Sequence, residues 1–235
     1  MRLVDLTPQI VLAVYAHPDD ADVAAGGILA LWASRGAKVH LITVCDGDKG
    51  SSDAQENPES LRRRRQEEFE VAAKHLGSVE ASCLGYNDGE VTNDVEFREK
   101  LVSLIRKIRP DVVVGPDPTA TFFGGVYVNH RDHRETGWAL LDAIAPAAAM
   151  PLYFPETGVE YQVPRVLLSG THEPDVTFNI ASVIETKILA VLAHASQVGG
   201  QPDLVRQVVT TRAQQSGRDV GVSHGESFRY LEFAH

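Results

Sequence analysis

IVLAVYAHPDD, residues 10–20, joins an apolar run to a cluster of polar side chains. The run Ile10–Tyr15 predicts a strand, and a helix is expected to follow over residues 22–34. Ligands of open α/β sheets gather at the carboxyl ends of the strands, which is where this cluster lies. It holds one histidine and two carboxylates, in the order His17-Pro18-Asp19-Asp20. This position predicts a metal site with a base beside it, provided that another part of the chain supplies one more ligand.

The first 45 residues have the pattern of a βαβ unit. Two runs rich in β-branched residues, 9–16 and 38–45, flank an alanine- and leucine-rich stretch that stops at Gly36. Further along, residues 111–115 form a short continuous apolar run, as expected for a strand buried on both faces. Strands and helices continue to alternate. We therefore predict an α/β fold with a doubly wound, mostly parallel sheet flanked by helices, in a single domain over residues 1–235.

Turn and cap residues predict several other elements. Asn57 followed by Pro58 predicts the start of a helix that runs to about Leu76 and Gly77. The polar loop at 46–56 precedes this helix and is a candidate lid. Further strands are expected at 81–84, 165–168 and 176–180, and further helices before Pro110 and over 184–195.

The composition limits the classes of function. The chain has 235 residues and a formal net charge of −10, which argues against nucleic acid or an anionic membrane as a partner. The N-terminus lacks the apolar core of a signal peptide and two cysteines are too few for a disulfide framework, so we expect a cytoplasmic protein. No stretch predicts a membrane span, and no glycine-rich phosphate loop occurs. The expected partner is a small molecule, and a homo-oligomer is left open.

A second polar cluster, Asn129-His130-Arg131-Asp132-His133, follows the strand predicted at 111–115. A catalytic zinc site needs three nitrogen or oxygen ligands and an open position for water. His17, Asp20 and His133 meet this requirement, because the first two are three residues apart across a strand-to-helix turn. Asp19 is then free to act as the general base that takes a proton from the attacking water. This set predicts metal-assisted hydrolysis of an amide or an ester.

Two other members of the second cluster are candidates for catalysis. His130 would donate a hydrogen bond or a proton to the developing oxyanion. Asp132 would orient a ligand histidine without binding the metal itself. Nitrogen and oxygen ligands suit Zn²⁺, but they also suit iron or cobalt, so the residue types leave the choice among divalent transition metals open.

These clusters resemble the LmbE-like or PIG-L family of zinc-dependent N-acetylglucosaminyl deacetylases. The resemblance rests on both clusters together with matches at Arg65, Glu68, residues 85–89, Lys187, residues 193–197 and residues 226–229. These matches extend over most of the chain.

The resemblance implies a Rossmann-like fold and removal of an acetyl group from an N-acetylated sugar. It implies that zinc is the metal, with the ligands, base and oxyanion partner already named. It also implies substrate contacts from Arg65, Asp88 and His194.

Other interpretations of the same residues remain. Acidic residues are common at helix N-termini, and a histidine pair can mark a solvated helix start, although the pairing of two clusters favours the metal site. A zinc amidase acting on another amide, such as a sugar–thiol conjugate, predicts the same core. A non-catalytic ligand-binding module would not need Asp19.

Overall fold

The computed structural model describes residues 1–233, and a large sheet runs through this range. Its strands and those of a small hairpin are β1 (Arg2–Leu3), β2 (Ile10–Tyr15), β3 (Lys38–Cys45), β4 (Glu80–Tyr86), β5 (Val112–Pro116), β6 (Phe122–Phe123), β7 (Tyr127–Val128), β8 (Arg165–Ser169), β9 (Val176–Asn179) and β10 (Gly225–Glu232). The helices are α1 (Asp20–Ser34), α2 (Pro58–Leu76), α3 (Val95–Ile108), α4 (Arg131–Asp142), α5 (Ile184–Ala193), α6 (Ala195–Val198) and α7 (Pro202–Arg218). Short helical turns lie at Ala143–Ala148, Pro155–Thr157 and Ala181–Val183.

The large sheet has eight strands within residues 1–233, in the order β1-β9-β10-β8-β5-β2-β3-β4. The five strands from β8 to β4 are parallel to one another. By contrast, β10 is antiparallel to both β8 and β9, and β1 pairs parallel with β9. The predicted α/β fold with a mostly parallel sheet is confirmed.

Alternate side chains of β2 enter two separate cores. Val11 and Ala13 pack with residues of α1 and α2, whereas Leu12 and Val14 pack with residues of α3 and α4. All four side chains are fully buried, as a continuous apolar run predicts for a central strand. Helices therefore cover both faces of the sheet, and the carboxyl ends of the neighbouring strands β2 and β5 share one edge.

The α2 boundaries agree with their predicted caps. Asn57 Oδ1 accepts a hydrogen bond from the Ser60 amide at 2.9 Å, and the helix starts at Pro58. Gly77 follows the helix with a φ of 75°, a left-handed conformation that favours glycine.

Two other predicted helices differ from the structure. The first begins at Asp20 rather than at residue 22, because the Asp20 carboxylate accepts the His17 amide at 2.8 Å and closes the turn before the helix. The helix predicted at 184–195 ends at Ala193, where the backbone of His194 leaves the helical conformation. The sequence analysis also did not predict α7 or the antiparallel strand β10.

Glu226 of β10 binds the backbone of α1 in the middle of that helix. Its carboxylate accepts the amides of Gly27 and Ile28, each at 2.8 Å. Lys187 of α5 donates to Glu226 at 2.5 Å and to the Val23 carbonyl at 2.8 Å. A Cβ atom at Gly27 would lie 2.7 Å from Glu226 Oε1, so only glycine leaves room for the carboxylate. This buried contact fixes α1 against α5 and β10.

The helices concern one further prediction, that no segment of the chain spans a membrane. None of the helices within residues 1–233 has the length and the apolar character that crossing a bilayer requires. The cytoplasmic location and the homo-oligomer stay predictions. So does the domain boundary at 1–235, whose last two residues lie outside the described range.

We expect the substitution Lys187→Met to lower the free energy of unfolding by about 3–5 kcal/mol, because it leaves the Glu226 charge buried without its cation. Denaturant unfolding followed by circular dichroism measures this change. Lys107→Met, at an exposed position on α3, is the matched control and should stay within about 0.5 kcal/mol of the wild type. Equal stability of the two variants would contradict a structural role for the pair.

Candidate metal centre

The two polar clusters meet at the shared edge of β2 and β5. His17 follows β2 directly, and Asp20 lies in the first turn of α1. His133 lies in the first turn of α4, which the chain enters after β5 and the β6–β7 hairpin. Because β2 and β5 are hydrogen-bonded neighbours in parallel orientation, their following segments reach the same place.

Three side-chain atoms from these segments form a nearly equilateral triangle. His17 Nδ1 lies 3.1 Å from His133 Nε2 and 3.2 Å from Asp20 Oδ2. His133 Nε2 lies 3.1 Å from the same Asp20 oxygen. The structure thus brings together the three residues that the sequence analysis selected as metal ligands.

Acceptor oxygens on the far side of each imidazole favour the nitrogen that carries the proton there, so that the other nitrogen faces the triangle. Asn129 donates through Nδ2 to the Ala120 carbonyl at 2.8 Å, which turns its Oδ1 toward His133 Nδ1 at 2.9 Å. His133 Nδ1 must therefore carry the proton, and His133 Nε2 presents a lone pair. His17 Nε2 faces carboxylate oxygens of Asp88 and Asp132 at 3.3 and 3.4 Å, so its proton is favoured on that side. Two nitrogen lone pairs and a carboxylate oxygen that face one another fit a divalent cation.

The electrostatics of the triangle favour a positive charge, which His17 itself takes up as a proton when no metal is bound. Burial lowers the pKa of His17, but Asp20, Asp132 and Asp88 outweigh it and raise that pKa to about 12. Burial opposes ionisation of Asp20, yet His133 and His17 hold its pKa well below the usual range. The centre is therefore strongly anionic unless a positive charge occupies it.

A second group of possible ligands lies on the other side of His17. His17, Asp88, His130 and Asp132 also bring ligand atoms within 4.8 Å of one another. Asp132, however, is fully buried, and its oxygens already accept the amides of Gly89 at 2.6 Å and Val91 at 3.3 Å. These bonds suit a carboxylate that orients His17 better than one that binds a metal.

Asp19 lies beside the triangle and is held by an arginine. It occupies the N-cap position of α1 without capping the helix, and its side chain is 28% exposed. Arg65 Nη2 donates to Asp19 Oδ1 at 2.7 Å, and Arg65 Nη1 donates to the Gly47 carbonyl at 3.1 Å. Cβ atoms at Gly47 and Gly50 would collide with the guanidinium, so the loop needs glycine at both positions.

His130 lies beside His17, with ring centroids 4.8 Å apart, and its side chain is half-exposed. Its Nδ1 accepts the Asp132 amide at 3.2 Å, so the neutral imidazole carries its proton on Nε2. Burial and the nearby His17 lower the pKa of His130, which favours that neutral form. His130 is thus built to donate one hydrogen bond from Nε2.

His194 does not reach the centre. Its side chain is 1% exposed, and its Nε2 lies 2.9 Å from Asp22 Oδ2, which is also buried. This burial does not favour the predicted contact between His194 and substrate, which stays a prediction. Burial raises the pKa of Asp22, against the effect of its bond to His194.

The sequence analysis assigned no role to two residues that the structure places at the centre. Asn129 orients His133. Its position four residues before His133 could have predicted this contact, since residues separated by four can meet at a helix start. Gln197 lines the opening, and its Nε2 donates to the Gly50 carbonyl at 3.1 Å. No local pattern connects Gln197 with a loop that lies almost 150 residues earlier.

Two cavities flank the triangle and share Asp19, Asp20 and His133 as their common wall. The polar cavity, of about 430 Å³, is lined on its outer side by Lys49, Gly50, Arg65, Asp88, His130 and Gln197. The apolar cavity, of about 260 Å³, is lined by Tyr15, Val23, Ala24, Pro116, Phe123 and Gly170, and also by the polar residues Asp117, Asn129 and Ser169.

Comparison with known proteins gives consistent matches. The family model for PIG-L, described as GlcNAc-PI de-N-acetylase, matches residues 12–144, which include the three donors. The chain is 30% identical over 226 residues to diacetylchitobiose deacetylase of Thermococcus kodakarensis, covering 94% of this chain and 82% of that protein. It is 33% identical over 179 residues to 1D-myo-inositol 2-acetamido-2-deoxy-alpha-D-glucopyranoside deacetylase 2 of Saccharopolyspora erythraea, covering 66% of this chain and 63% of that protein. The structure of N,N'-diacetylchitobiose deacetylase from Pyrococcus horikoshii in complex with its inhibitor MPG aligns with a TM-score of 0.87 at 28% identity, covering 96% of this chain and 84% of that one.

We expect Asn129→Leu to weaken divalent-metal binding about 10–100-fold, because His133 loses the acceptor that fixes its proton on Nδ1. Competition with a chromophoric chelator measures the affinity. Asn179→Leu, at the exposed last residue of β9, is the control and should bind metal like the wild type. An unchanged affinity in Asn129→Leu would show that the metal does not depend on the orientation of His133.

Proposed function

The chain belongs to the PIG-L family, also called LmbE-like, and from this premise we propose that it removes the acetyl group from an N-acetylglucosamine-type sugar by hydrolysis. The observation that carries the proposal is the triangle of His17 Nδ1, Asp20 Oδ2 and His133 Nε2, three possible ligand atoms that face one another beside the carboxylate of Asp19. The relatives named above as deacetylases of N-acetylated glucosamine derivatives support the choice of substrate class.

His17, Asp20 and His133 would hold the metal, and the donor set fits Zn²⁺. When bound, such a metal polarises the substrate carbonyl and lowers the pKa of its water to about 7. Asp132 keeps the His17 ring oriented, because its carboxylate faces His17 Nε2.

Asp19 is the proposed general base. The Arg65 guanidinium holds Oδ1 of Asp19, which leaves the other carboxylate oxygen to take the proton of the attacking water. The same carboxyl then gives the proton to the amine nitrogen as the carbon–nitrogen bond breaks. Acetate and a free amino sugar are the products.

His130 is the proposed partner of the oxyanion. Its Nε2 proton is available because Nδ1 already accepts the Asp132 amide. A hydrogen bond from this position to the carbonyl oxygen strengthens as negative charge develops there.

Arg65 and Asp88 are the proposed contacts to the sugar. Both face the polar cavity, where a hydroxylated ring finds donors and acceptors. Arg65 also binds Asp19, so the same guanidinium would position the base and the substrate.

Release of acetate tests the proposal. Zinc-loaded protein, chelator-treated protein and the wild type after zinc is restored are incubated with N-acetylglucosamine, a methyl glycoside of it and N,N'-diacetylchitobiose. We expect acetate and free amine in equal amounts from the first and third samples, and none from the second. Stoichiometric metal without acetate from any of these sugars would contradict the substrate class.

We expect Asp19→Asn to keep the metal and to lose about 10²–10⁴-fold in kcat, because it removes the proton acceptor and leaves all three ligands. Metal content is measured on the same sample as acetate release. Asp203→Asn, at an exposed position in α7, should retain wild-type activity. Loss of metal in Asp19→Asn would instead assign this carboxylate to the ligand set.

We expect His130→Ala to keep its metal and to lower kcat about 10²–10³-fold with a smaller change in KM, because the lost hydrogen bond forms mainly in the transition state. His75→Ala, on an exposed part of α2, is the control. A wild-type kcat in His130→Ala would remove this residue from the mechanism.

A further inference from the structure

We propose that the apolar cavity beside the triangle holds the acyl group of the substrate, and that it is large enough for the enzyme to hydrolyse N-acylglucosamines with chains of about four to six carbons. This inference rests on the proposed function and extends it to a substrate class.

The two cavities match the two substituents of an amide carbonyl. A trigonal carbonyl carbon carries its nitrogen and its acyl chain in different directions. Asp19, Asp20 and His133 line both cavities, so a carbonyl placed at these residues has one cavity for each substituent.

The lining of each cavity decides which substituent it takes. A sugar ring needs hydrogen-bond partners for its hydroxyls, and the polar cavity offers Lys49, Arg65, Asp88 and Gln197. The walls of the apolar cavity are instead formed by Val23, Ala24, Pro116 and Phe123. Alkyl groups gain from contact with such walls, whereas hydroxyls would lose their water there without compensation.

The polar atoms near the apolar cavity are already engaged or buried. Tyr15 Oη and Ser169 Oγ lie 2.9 Å apart, and Ser169 Oγ also donates to the Gly115 carbonyl. Asp117 Oδ1 accepts both the amide and the hydroxyl of Thr119, while its other oxygen has no partner but is itself buried. The cavity therefore presents little that would bind a sugar hydroxyl.

The size of the apolar cavity exceeds the need of an acetyl group. A methyl group takes about the volume of one water, roughly 30 Å³ in the liquid. The cavity of about 260 Å³ would stay largely unfilled around it, whereas several further methylenes would find apolar contacts. Each methylene buried there should improve binding about fourfold.

The far wall sets a limit on chain length. Val23, Ala24 and Gly170 separate the apolar cavity from another cavity lined by Lys187, Arg212 and Glu226. These charged groups disfavour an alkyl chain, so chains that reach past this wall should lose the advantage.

The reaction consumes one water per substrate. The carbon–nitrogen bond breaks, the water oxygen joins the acyl carbon, and one water proton goes to the amine nitrogen. The products are the carboxylic acid of the same chain length, ionised at neutral pH, and glucosamine.

The test compares kcat/KM for N-acetyl-, N-butanoyl- and N-hexanoylglucosamine, with released glucosamine as the common readout. We expect the two longer substrates to be hydrolysed at least as efficiently as the acetyl substrate. Acetyl activity with hexanoyl activity more than 100-fold lower would overturn the inference while leaving the proposed deacetylation intact. Absence of activity on all three would instead contradict the proposed function.

Substitutions that fill or widen the apolar cavity test whether the acyl group binds there. Val23→Phe and, as a second filling variant, Ala24→Leu should each lower hexanoyl activity at least tenfold and change acetyl activity less than threefold. Phe123→Ala should raise the ratio of hexanoyl to acetyl activity. Val71→Phe, on the exposed face of α2, is the matched control and should leave the ratio unchanged. An equal loss on both substrates in the two filling variants would mean that the cavity holds the sugar, which would overturn the inference.

Binding supplies a readout that does not depend on turnover. Hexanoate should bind the wild type and bind Val23→Phe at least tenfold more weakly, as measured by ligand-observed NMR. Equal hexanoate binding by the wild type and Val23→Phe would also overturn the assignment of the cavity.

Discussion

The buried carboxylate of Glu226 joins the end of the chain to its first helix, and the geometry of the centre depends on that contact. Glu226 accepts two amides from the middle of α1, almost 200 residues earlier, and Lys187 completes the contact from α5. Because α1 begins at the carboxyl end of β2, fixing its middle also fixes the direction of its N-terminus. Asp19 and Asp20 lie at that N-terminus, so a contact in the middle of the helix determines where the proposed base and one proposed metal ligand lie.

The centre shows how a parallel sheet assembles a site from distant segments. His17 and Asp20 come from one turn, and their separation is set by the bond from the His17 amide to the Asp20 carboxylate. His133 arrives from a segment more than 100 residues later, and only the pairing of β2 with β5 brings it within 3.2 Å of both. Each local turn fixes its own donors, while the strand order fixes the distance between the turns.

The sequence predicts the parts of this molecule that depend on local patterns. The run at 10–15 predicts a central strand because both of its faces are apolar, and Asn57 predicts a helix start because its side chain caps the helix. The two histidine–aspartate clusters predict convergence because they follow strands of one sheet. The position of His194 could not be predicted, since its family motif says nothing of burial and its partner Asp22 lies 172 residues away. Strand β10 was missed for a similar reason: its polar Glu226 is buried only because Gly27 and Lys187 meet it in three dimensions.

Several carboxylates lie close together at the centre, and their mutual repulsion limits what can bind there. Asp19, Asp20, Asp88 and Asp132 surround His17 and its neighbours, and Arg65 compensates for one of them. Carboxylates held this close repel one another, and burial removes much of the water that would screen them. The fold gives two of these carboxylates backbone donors: the amides of Gly89 and Val91 bind Asp132, and the His17 amide binds Asp20. The negative charge that remains faces the triangle and favours a positive charge there, as the raised pKa of His17 shows. A divalent cation held by His17, Asp20 and His133 would relieve this repulsion.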